Sequence, residues 1–218
     1  MKIFLDTASA DDILKGLETG LIDGVTTNPT LILKNGEDPE TVYGNLISMG
    51  VTDLSMEVVT DNANVFVTQG QRLSDKFGDA TTIKVPCTPA GLKACKILTQ
   101  SGIRVNVTLI FSAAQAILAA KAGATYISPF VGRVDDNSFG GLCLVKEIAS
   151  IFTKQNVFET EILAASIRGV RQVGRAFEYG AHICTIPPTI FDKMYNHILT
   201  EKGMQLFEED WANVCSTV

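Results

Sequence analysis

The chain has 218 residues, of which 46% are hydrophobic and 19% charged. A chain of this length can bury roughly 70% of its unfolded surface, so we expect one globular domain that needs neither metal nor disulfide cross-links. Its 18 Lys and Arg residues are outnumbered by 24 Asp and Glu residues, for a formal net charge of −6. Because binding to a phosphate backbone requires a basic surface, nucleic acid is not an expected partner.

The cysteines and the apolar runs indicate the compartment. The five cysteines are odd in number and form no CxxC pair, which argues against a disulfide framework and a zinc site. The first β-prone run follows Met1 directly, and no apolar run approaches the roughly 18 residues of a membrane span. We therefore expect a cytoplasmic protein without a signal peptide or a membrane partner.

Eight short β-prone runs recur along the chain, and each is followed by a helical pattern. They are Lys2–Leu5, Gly24–Thr27, Asp53–Val59, Thr81–Val85, Arg104–Ile110, Thr125–Phe130, Glu161–Ala165 and His182–Ile186. Helix-capping residues stand after several of these runs, at Ser9, Asp38, Thr88 and Ser112, and a proline follows the second and third of them.

Strictly alternating strands and helices predict a parallel sheet, and eight units predict a closed (β/α)8 TIM barrel of the α/β class. No GxGxxG follows the first run and no GxxxxGK[ST] occurs in the chain, so dinucleotide-binding and P-loop folds lack their motifs. We assign residues 1–200 to the barrel as one catalytic domain. Residues 201–218 then form an extra C-terminal helix and tail.

An apolar stripe runs along this C-terminal helix. Met204, Phe207, Trp211 and Val214 recur at spacings of three and four residues. Two interpretations stand side by side: the helix folds back on its own barrel, or it packs on a neighbouring subunit.

Polar residues stand near the end of nearly every predicted strand, where a barrel of this type carries its chemistry. They are Asp6, Thr26, Asn28, Glu57, Lys84, Asn106, Thr108, Ser128 and Ser166, with Arg133 and Arg168 just beyond the sixth and seventh strands.

Lys84 is the most informative of them, because it places an ammonium group inside a strand whose two faces a barrel covers. A lysine in that position either extends to solvent at the strand end or serves as a nucleophile. Asp6 alone is typical of a turn, and Glu57 alone is typical of a salt bridge. Together with Lys84 at three strand ends, they favour an amine nucleophile with acid and base groups beside it, as in Schiff-base catalysis.

Two arginines and a serine follow the sixth and seventh strands. Arg133, Ser166 and Arg168 come from loops that are neighbours in a barrel, and two guanidiniums with a hydroxyl suit a phosphate dianion. The alternative is that both arginines are ordinary surface residues.

Five segments of the chain together resemble the transaldolase family, and specifically its short subfamily, which also contains fructose-6-phosphate aldolases. These segments are Gly24–Thr30 (GVTTNPT), Ile83–Val85 (IKV), Asn106–Ser112 (NVTLIFS), Ile127–Arg133 (ISPFVGR) and Ala165–Arg168 (ASIR). The resemblance extends over nearly the whole chain. It implies sugar-phosphate substrates, no metal or other cofactor, and a ring-forming homo-oligomer, a decamer being one such size.

The resemblance also implies a role for each catalytic residue. Lys84 attacks the keto carbon of a ketose phosphate, and Asp6 removes the hydroxyl proton that triggers carbon–carbon cleavage. Glu57 and Thr108 position the water used in Schiff-base formation.

The remaining site residues bind substrate by the same resemblance. Asn28 and Asn106 hold the dihydroxyacetone fragment, Arg133, Ser166 and Arg168 hold the phosphate, and Thr26 and Ser128 make secondary contacts.

Phe130 and Glu57 distinguish two activities within the subfamily. The aldolases that the chain resembles carry a tyrosine after the sixth strand and a glutamine on the third, so these two residues match the transferase pattern. The sequence therefore predicts a transaldolase of the pentose phosphate pathway, with fructose-6-phosphate aldolase as the alternative. A non-catalytic sugar-phosphate sensor is the alternative of another class, and it would be marked by loss of Lys84 or its acid and base partners.

Overall fold

The computed structural model of the chain describes residues 1–216. Eight parallel strands close into a barrel in sequential order, β1-β2-β3-β4-β5-β6-β7-β8, with β8 paired to β1. The strands are β1 (Lys2–Asp6), β2 (Gly24–Thr26), β3 (Leu54–Glu57), β4 (Thr81–Pro86), β5 (Arg104–Ile110), β6 (Tyr126–Pro129), β7 (Glu161–Ala164) and β8 (Ile183–Ile186). Each overlaps one of the eight predicted runs, which confirms the (β/α)8 barrel.

Eleven α-helices surround or follow the barrel within the described residues. They are α1 (Ala10–Glu18), α2 (Pro29–Asn35), α3 (Pro39–Ser48), α4 (Ala63–Phe77), α5 (Pro89–Gln100), α6 (Ala113–Lys121), α7 (Val131–Asp136), α8 (Gly141–Lys154), α9 (Val170–Glu178), α10 (Pro188–Lys193) and α11 (Ile198–Ser216). The short helices α2, α7 and α10 lie in segments for which the sequence predicted no helix. Among the described helices, none is both long and apolar enough to span a membrane.

The predicted caps fix where the main helices begin. The side chains of Ser9, Asp38, Thr88 and Ser112 each accept a hydrogen bond from a backbone N–H in the first turn. Each bond satisfies a donor that the helix itself leaves without a partner. The helix starts are therefore set by local sequence, and this fixes the lengths of the loops that follow the strands.

The barrel interior contains a small apolar cluster and a set of buried polar side chains. The cluster consists of Phe4, Tyr126, Leu163 and Ile183, from β1, β6, β7 and β8. Polar side chains that are almost fully buried come from β2 to β6 and from β8, namely Thr26, Ser55, Lys84, Asn106, Ser128 and Thr185. A buried polar group is costly unless it is hydrogen-bonded, so these residues mark the region where the fold gives up stability for chemistry.

The C-terminal helix α11 begins three residues before the predicted Glu201, and residues 217 and 218 of the predicted tail lie outside the described residues. The stripe Met204, Phe207, Trp211 and Val214 is exposed, with Trp211 and Phe207 each at 69%. In the described part of the helix, the barrel therefore does not cover the stripe.

Candidate active site

A cavity of about 290 Å³ opens at the carboxyl ends of the strands. All of the predicted site residues except Arg168 line it: Asp6, Thr26, Asn28, Glu57, Lys84, Asn106, Thr108, Ser128, Phe130, Arg133 and Ser166. Closing the sheet brings together residues that stand up to 160 positions apart in sequence.

Lys84 lies in the wall of this cavity with only 7% of its side chain exposed. Its Nζ donates a hydrogen bond to the carbonyl oxygen of Thr27, and the two atoms are 2.9 Å apart. Nζ also lies 2.9 Å from Oε2 of Glu57, which is the register partner of Lys84 on β3. The buried amine therefore has both a charge partner, the Glu57 carboxylate, and a carbonyl acceptor, Thr27.

Asp6 ends β1 and accepts a hydrogen bond from Oγ1 of Thr26, 2.8 Å from its Oδ1. Burial raises the pKa of the Asp6 carboxyl above 3.8, while the charge of Lys84 and the Thr26 bond oppose the rise. A carboxylate with a raised pKa is a stronger base than a solvated one, which suits a group that takes up a proton and returns it.

Thr108 brings a hydroxyl to the same wall from β5, where it is the register partner of Pro86. Its Oγ1 is buried and makes no hydrogen bond with another described residue. Buried hydroxyls are normally hydrogen-bonded, so this one is available to a molecule in the cavity.

Asn106 is held rigidly next to Lys84, its register partner on β4. Its Nδ2 donates to Oγ of Ser55 at 3.2 Å, and its Oδ1 accepts from Oγ of Ser128 at 2.7 Å. These two bonds fix the orientation of the amide, and the second proton on Nδ2 is left for a ligand.

Asn28 has a structural task in addition to lining the cavity. Its Oδ1 accepts the N–H of Leu31 at 3.0 Å and so caps helix α2, with Pro29 in the first turn. The amide group of Asn28 can therefore offer Nδ2 to a ligand while its oxygen is occupied.

Phe130 and Arg133 form one unit at the mouth of the cavity. The Phe130 ring contacts Phe111 edge-on, with centroids 5.6 Å apart, and the Arg133 guanidinium carbon lies 5.0 Å from the Phe130 centroid. Cation–π contact of this kind restrains a guanidinium that is otherwise exposed. Arg133 is thus placed above the cavity by an aromatic ring rather than by an acidic residue.

Arg168 departs from the sequence prediction, because it does not line the cavity. Its side chain is 54% exposed. Its guanidinium makes a bidentate ion pair with Asp136 at the end of α7, and Nη2 lies 2.5 Å from Oδ2. A Cβ added at Gly132 would nevertheless lie 2.8 Å from Nε of Arg168 and 3.0 Å from Oγ of Ser166. The guanidinium is therefore near the Ser166 hydroxyl but is held by a carboxylate.

The backbone is strained at two places in the cavity wall. Leu109 and Ser166 both have φ near +58°, a left-handed conformation that side chains rarely adopt. Leu109 lies where the β5–β6 register shifts, and the Ser166 carbonyl accepts the N–H of Gly132. Such strain is concentrated at functional sites in proteins, and here both residues line the cavity.

Sequence reasoning missed Thr185 on β8, which lines the cavity and is 3% exposed. It also missed Ser55, which positions Asn106. A usable signal existed for Thr185, since it is the polar residue of an otherwise apolar last strand, Ile183–Ile186. Across the described residues, no three His, Cys, Asp or Glu side chains gather closely enough to hold a metal ion.

Comparison with known proteins agrees with this geometry. The family model described as "Transaldolase/Fructose-6-phosphate aldolase" matches residues 3–218. A relative from Paracoccus denitrificans is 48% identical over 97% of both chains, and one from Jannaschia is 47% identical over the full length of both. A third, from Nitrosopumilus maritimus, is 46% identical over 98% of this chain and 96% of its own, and all three are named "Probable transaldolase".

A match over nearly the whole chain, together with relatives of equal length, leaves no part of the barrel outside the comparison. The chain is an enzyme of the transaldolase type, and it belongs to the transaldolase/fructose-6-phosphate aldolase family.

Proposed function

We propose that the protein transfers a dihydroxyacetone unit from a ketose phosphate to an aldose phosphate through a Schiff base on Lys84. The donors are sedoheptulose 7-phosphate and fructose 6-phosphate, and the acceptors are glyceraldehyde 3-phosphate and erythrose 4-phosphate, in the cytoplasmic pentose phosphate pathway. The observation that carries this proposal is the buried Lys84 amine, 2.9 Å from the Glu57 carboxylate in a cavity that also contains Asp6.

Schiff-base formation requires a neutral amine and a way to remove water. Glu57 accepts a proton from Nζ, and the freed lone pair forms the carbon–nitrogen bond to the keto carbon. The carbinolamine hydroxyl then takes up a proton and leaves as water, and the iminium forms. Thr108 supports this step because its buried hydroxyl is available to the water that Glu57 orients.

Carbon–carbon cleavage follows from the electron-accepting iminium. Asp6 takes the proton of the C4 hydroxyl, the C3–C4 bond breaks, and its electron pair moves into the iminium to give an enamine and a free aldehyde phosphate. The acceptor aldehyde then enters, the enamine forms a new bond to its carbonyl carbon, and Asp6 returns the proton to the resulting alkoxide. Water hydrolyses the Schiff base and restores the Lys84 amine.

The enamine must survive until the acceptor arrives, and this decides between transfer and simple cleavage. Phe130 stands at the mouth of the cavity and has no proton to donate. An acid positioned at that point is commonly worth about a hundredfold to ten-thousandfold in rate, so its absence favours transfer over release.

The test is to measure both outcomes on one preparation. With fructose 6-phosphate as donor, transfer to erythrose 4-phosphate should be much faster than the release of free dihydroxyacetone without an acceptor. Phe130→Tyr should raise the release rate, and Phe111→Tyr, which alters the neighbouring ring, serves as the matched control.

Fructose-6-phosphate aldolase remains the second candidate, because the matching family description names both activities. Release of dihydroxyacetone by the unaltered enzyme as fast as transfer would contradict the transferase proposal and establish the aldolase.

We also propose that the protein assembles into a ring-type homo-oligomer, for which we expect a decamer, through helix α11. The exposed Phe207 and Trp211 support this proposal, since aromatic side chains are enriched where subunits meet. A second copy of the chain is the natural partner, because every subunit of a symmetric oligomer presents the same helix and the same barrel surface.

A further inference from the structure

Thr185 is connected to the proton-accepting carboxylate through one intermediate hydroxyl. Its Oγ1 lies 2.6 Å from Oγ1 of Thr26, and Oγ1 of Thr26 lies 2.8 Å from Oδ1 of Asp6. The three residues come from β8, β2 and β1, which are adjacent in the closed barrel. Thr26 and Thr185 are 2% and 3% exposed, so bulk water does not compete for these bonds.

Counting protons fixes the direction of the two bonds. A hydroxyl has one hydrogen to donate, and an ionised carboxylate can only accept. When Asp6 is ionised, Thr26 must therefore donate to Asp6, and it can make its second short contact only by accepting from Thr185. Thr185 therefore donates to Thr26, and Thr26 donates to Asp6.

The order of donors is kept when Asp6 takes up a proton. The proton goes to Oδ2, the oxygen that the two threonines leave free, so Oδ1 continues to accept from Thr26. The hydroxyl chain therefore holds the carboxyl group in both of its protonation states.

We propose that Thr185 is a positioning residue that holds Asp6 through Thr26 in both of its protonation states. Because the chain engages Oδ1, it directs Oδ2 to the reacting hydroxyl. This inference rests on the proposed function, since it gives Asp6 the task of taking up and returning a proton.

The charged groups that face Asp6 from other strands are Lys84 on β4 and Glu57 on β3. Lys84 favours the carboxylate and Glu57 disfavours it. Neither changes when Thr185 is altered, so a difference between variants reports on the hydroxyl chain.

The test uses Thr185→Val, which removes the hydroxyl at nearly constant volume, and Thr185→Ser, which restores it. Thr81→Val is the matched control, because Thr81 is 4% exposed, begins β4 at the opposite end of the barrel, and has an Oγ1 with no hydrogen bond to a described residue. Each variant is assayed for transfer from fructose 6-phosphate to erythrose 4-phosphate across a range of pH.

We expect Thr185→Val to lower kcat roughly threefold to tenfold, the effect of one lost hydrogen bond, with KM changed less than twofold. The acid limb of its pH profile should move to higher pH, because the carboxylate form of Asp6 loses more support than the protonated form. Thr185→Ser should recover both values, and Thr81→Val should match the unaltered enzyme.

A second measurement does not depend on turnover. Infrared difference titration follows the protonated carboxyl band of Asp6, which is assigned by its loss in Asp6→Asn, and its midpoint should rise in Thr185→Val. If that variant does not fold, Thr185→Ala removes the same hydroxyl without adding bulk and must give the same shift.

Different results would contradict the proposed function and the positioning role of Thr185. An unaltered enzyme that catalyses no transfer overturns the proposed function and this inference with it. Normal transfer by the unaltered enzyme, with Thr185→Val equal to Thr81→Val in both kcat and titration midpoint, overturns the inference alone.

Discussion

In the proposed mechanism three ionisable side chains, Lys84, Glu57 and Asp6, carry the chemistry, and each has a different environment. Lys84 and Glu57 are register partners in direct contact, so each supports the charge of the other. Asp6 is hydrogen-bonded to a hydroxyl instead, and burial dominates its pKa. Because burial raises the pKa of the Asp6 carboxyl, Asp6 is suited to accept a proton.

This assignment predicts that Asp6 lowers the stability of the fold at neutral pH. A raised pKa means that the folded state favours the protonated form. The ionised Asp6 therefore lowers the free energy of unfolding at neutral pH. Asp6→Asn should therefore raise the free energy of unfolding at pH 7 while it lowers the transfer rate about a hundredfold to ten-thousandfold. Denaturant unfolding and a transfer assay on the same variant check both effects.

The pH dependence supplies the control for this prediction. Well below pH 3.8 the carboxyl group is protonated in both the folded and the unfolded chain, so the advantage of Asp6→Asn should vanish there. A variant that is less stable than the unaltered protein at pH 7 would show that Asp6 contributes to folding rather than opposing it.

Among the structural elements, helix α7 and the loop before α9 form the end of the cavity at which we propose that phosphate binds. Gly132 N–H donates to the Ser166 carbonyl, and Asp136 at the end of α7 holds Arg168. A phosphate that binds Arg168 must share its guanidinium with Asp136. The proposed phosphate site is therefore only partly preorganised. The Phe130 ring holds Arg133 in place, whereas the Asp136 carboxylate competes with phosphate for Arg168.

Arg168→Ala should raise KM for fructose 6-phosphate about tenfold or more and change KM for unphosphorylated dihydroxyacetone little, because a charge-assisted bond affects only ligands that carry the charge. Asp136→Asn should lower KM for the phosphorylated substrate by removing the competitor. Steady-state kinetics test both, with Arg175→Ala as control, since Arg175 is a partly exposed arginine on α9 that is paired with Glu178. Equal losses for the two substrates would make Arg168 structural.

Sequence patterns predicted the strands and the long helices, because those elements are determined locally. Apolar β-branched runs form strands that are covered on both faces, and capping side chains set where helices start. The helices α2, α7 and α10 escaped because six or seven residues are too few to show a periodic pattern. They lie in the loops that follow β2, β6 and β8, and α2 and α7 bring residues to the site.

The contacts between side chains at the site were less predictable than the set of residues that line it. That Lys84 contacts Glu57 follows from strand register, which no sequence pattern specifies to the residue. The pairing of Arg168 with Asp136 joins the loop before α9 to the end of α7, and the two residues are 32 positions apart. Thr185 was missed although a closed barrel was predicted, because its contact with Thr26 joins β8 and β2 across the barrel interior, and strand order does not specify such a side-chain contact.

In the molecule as a whole, the closed barrel does not cover the apolar stripe of α11, which is exposed in the described chain. Removing the chain from Glu201 onward should lower the native mass measured by light scattering, because Phe207 and Trp211 are exposed on the separate chain. Phe207→Asp with Trp211→Asp should reproduce the loss in the full-length chain, and Glu209→Gln should not. An unchanged mass in the truncated protein would contradict assembly through α11.

The proposed mechanism requires that Lys84 forms a covalent Schiff base with the donor sugar. The most direct measurement is borohydride reduction in the presence of fructose 6-phosphate, followed by mass mapping of the peptides, with Lys84→Ala as the control. We expect a reduced three-carbon adduct on Lys84 and none in the Lys84→Ala variant. An adduct on another residue, or no adduct in an enzyme that still catalyses transfer, would contradict it.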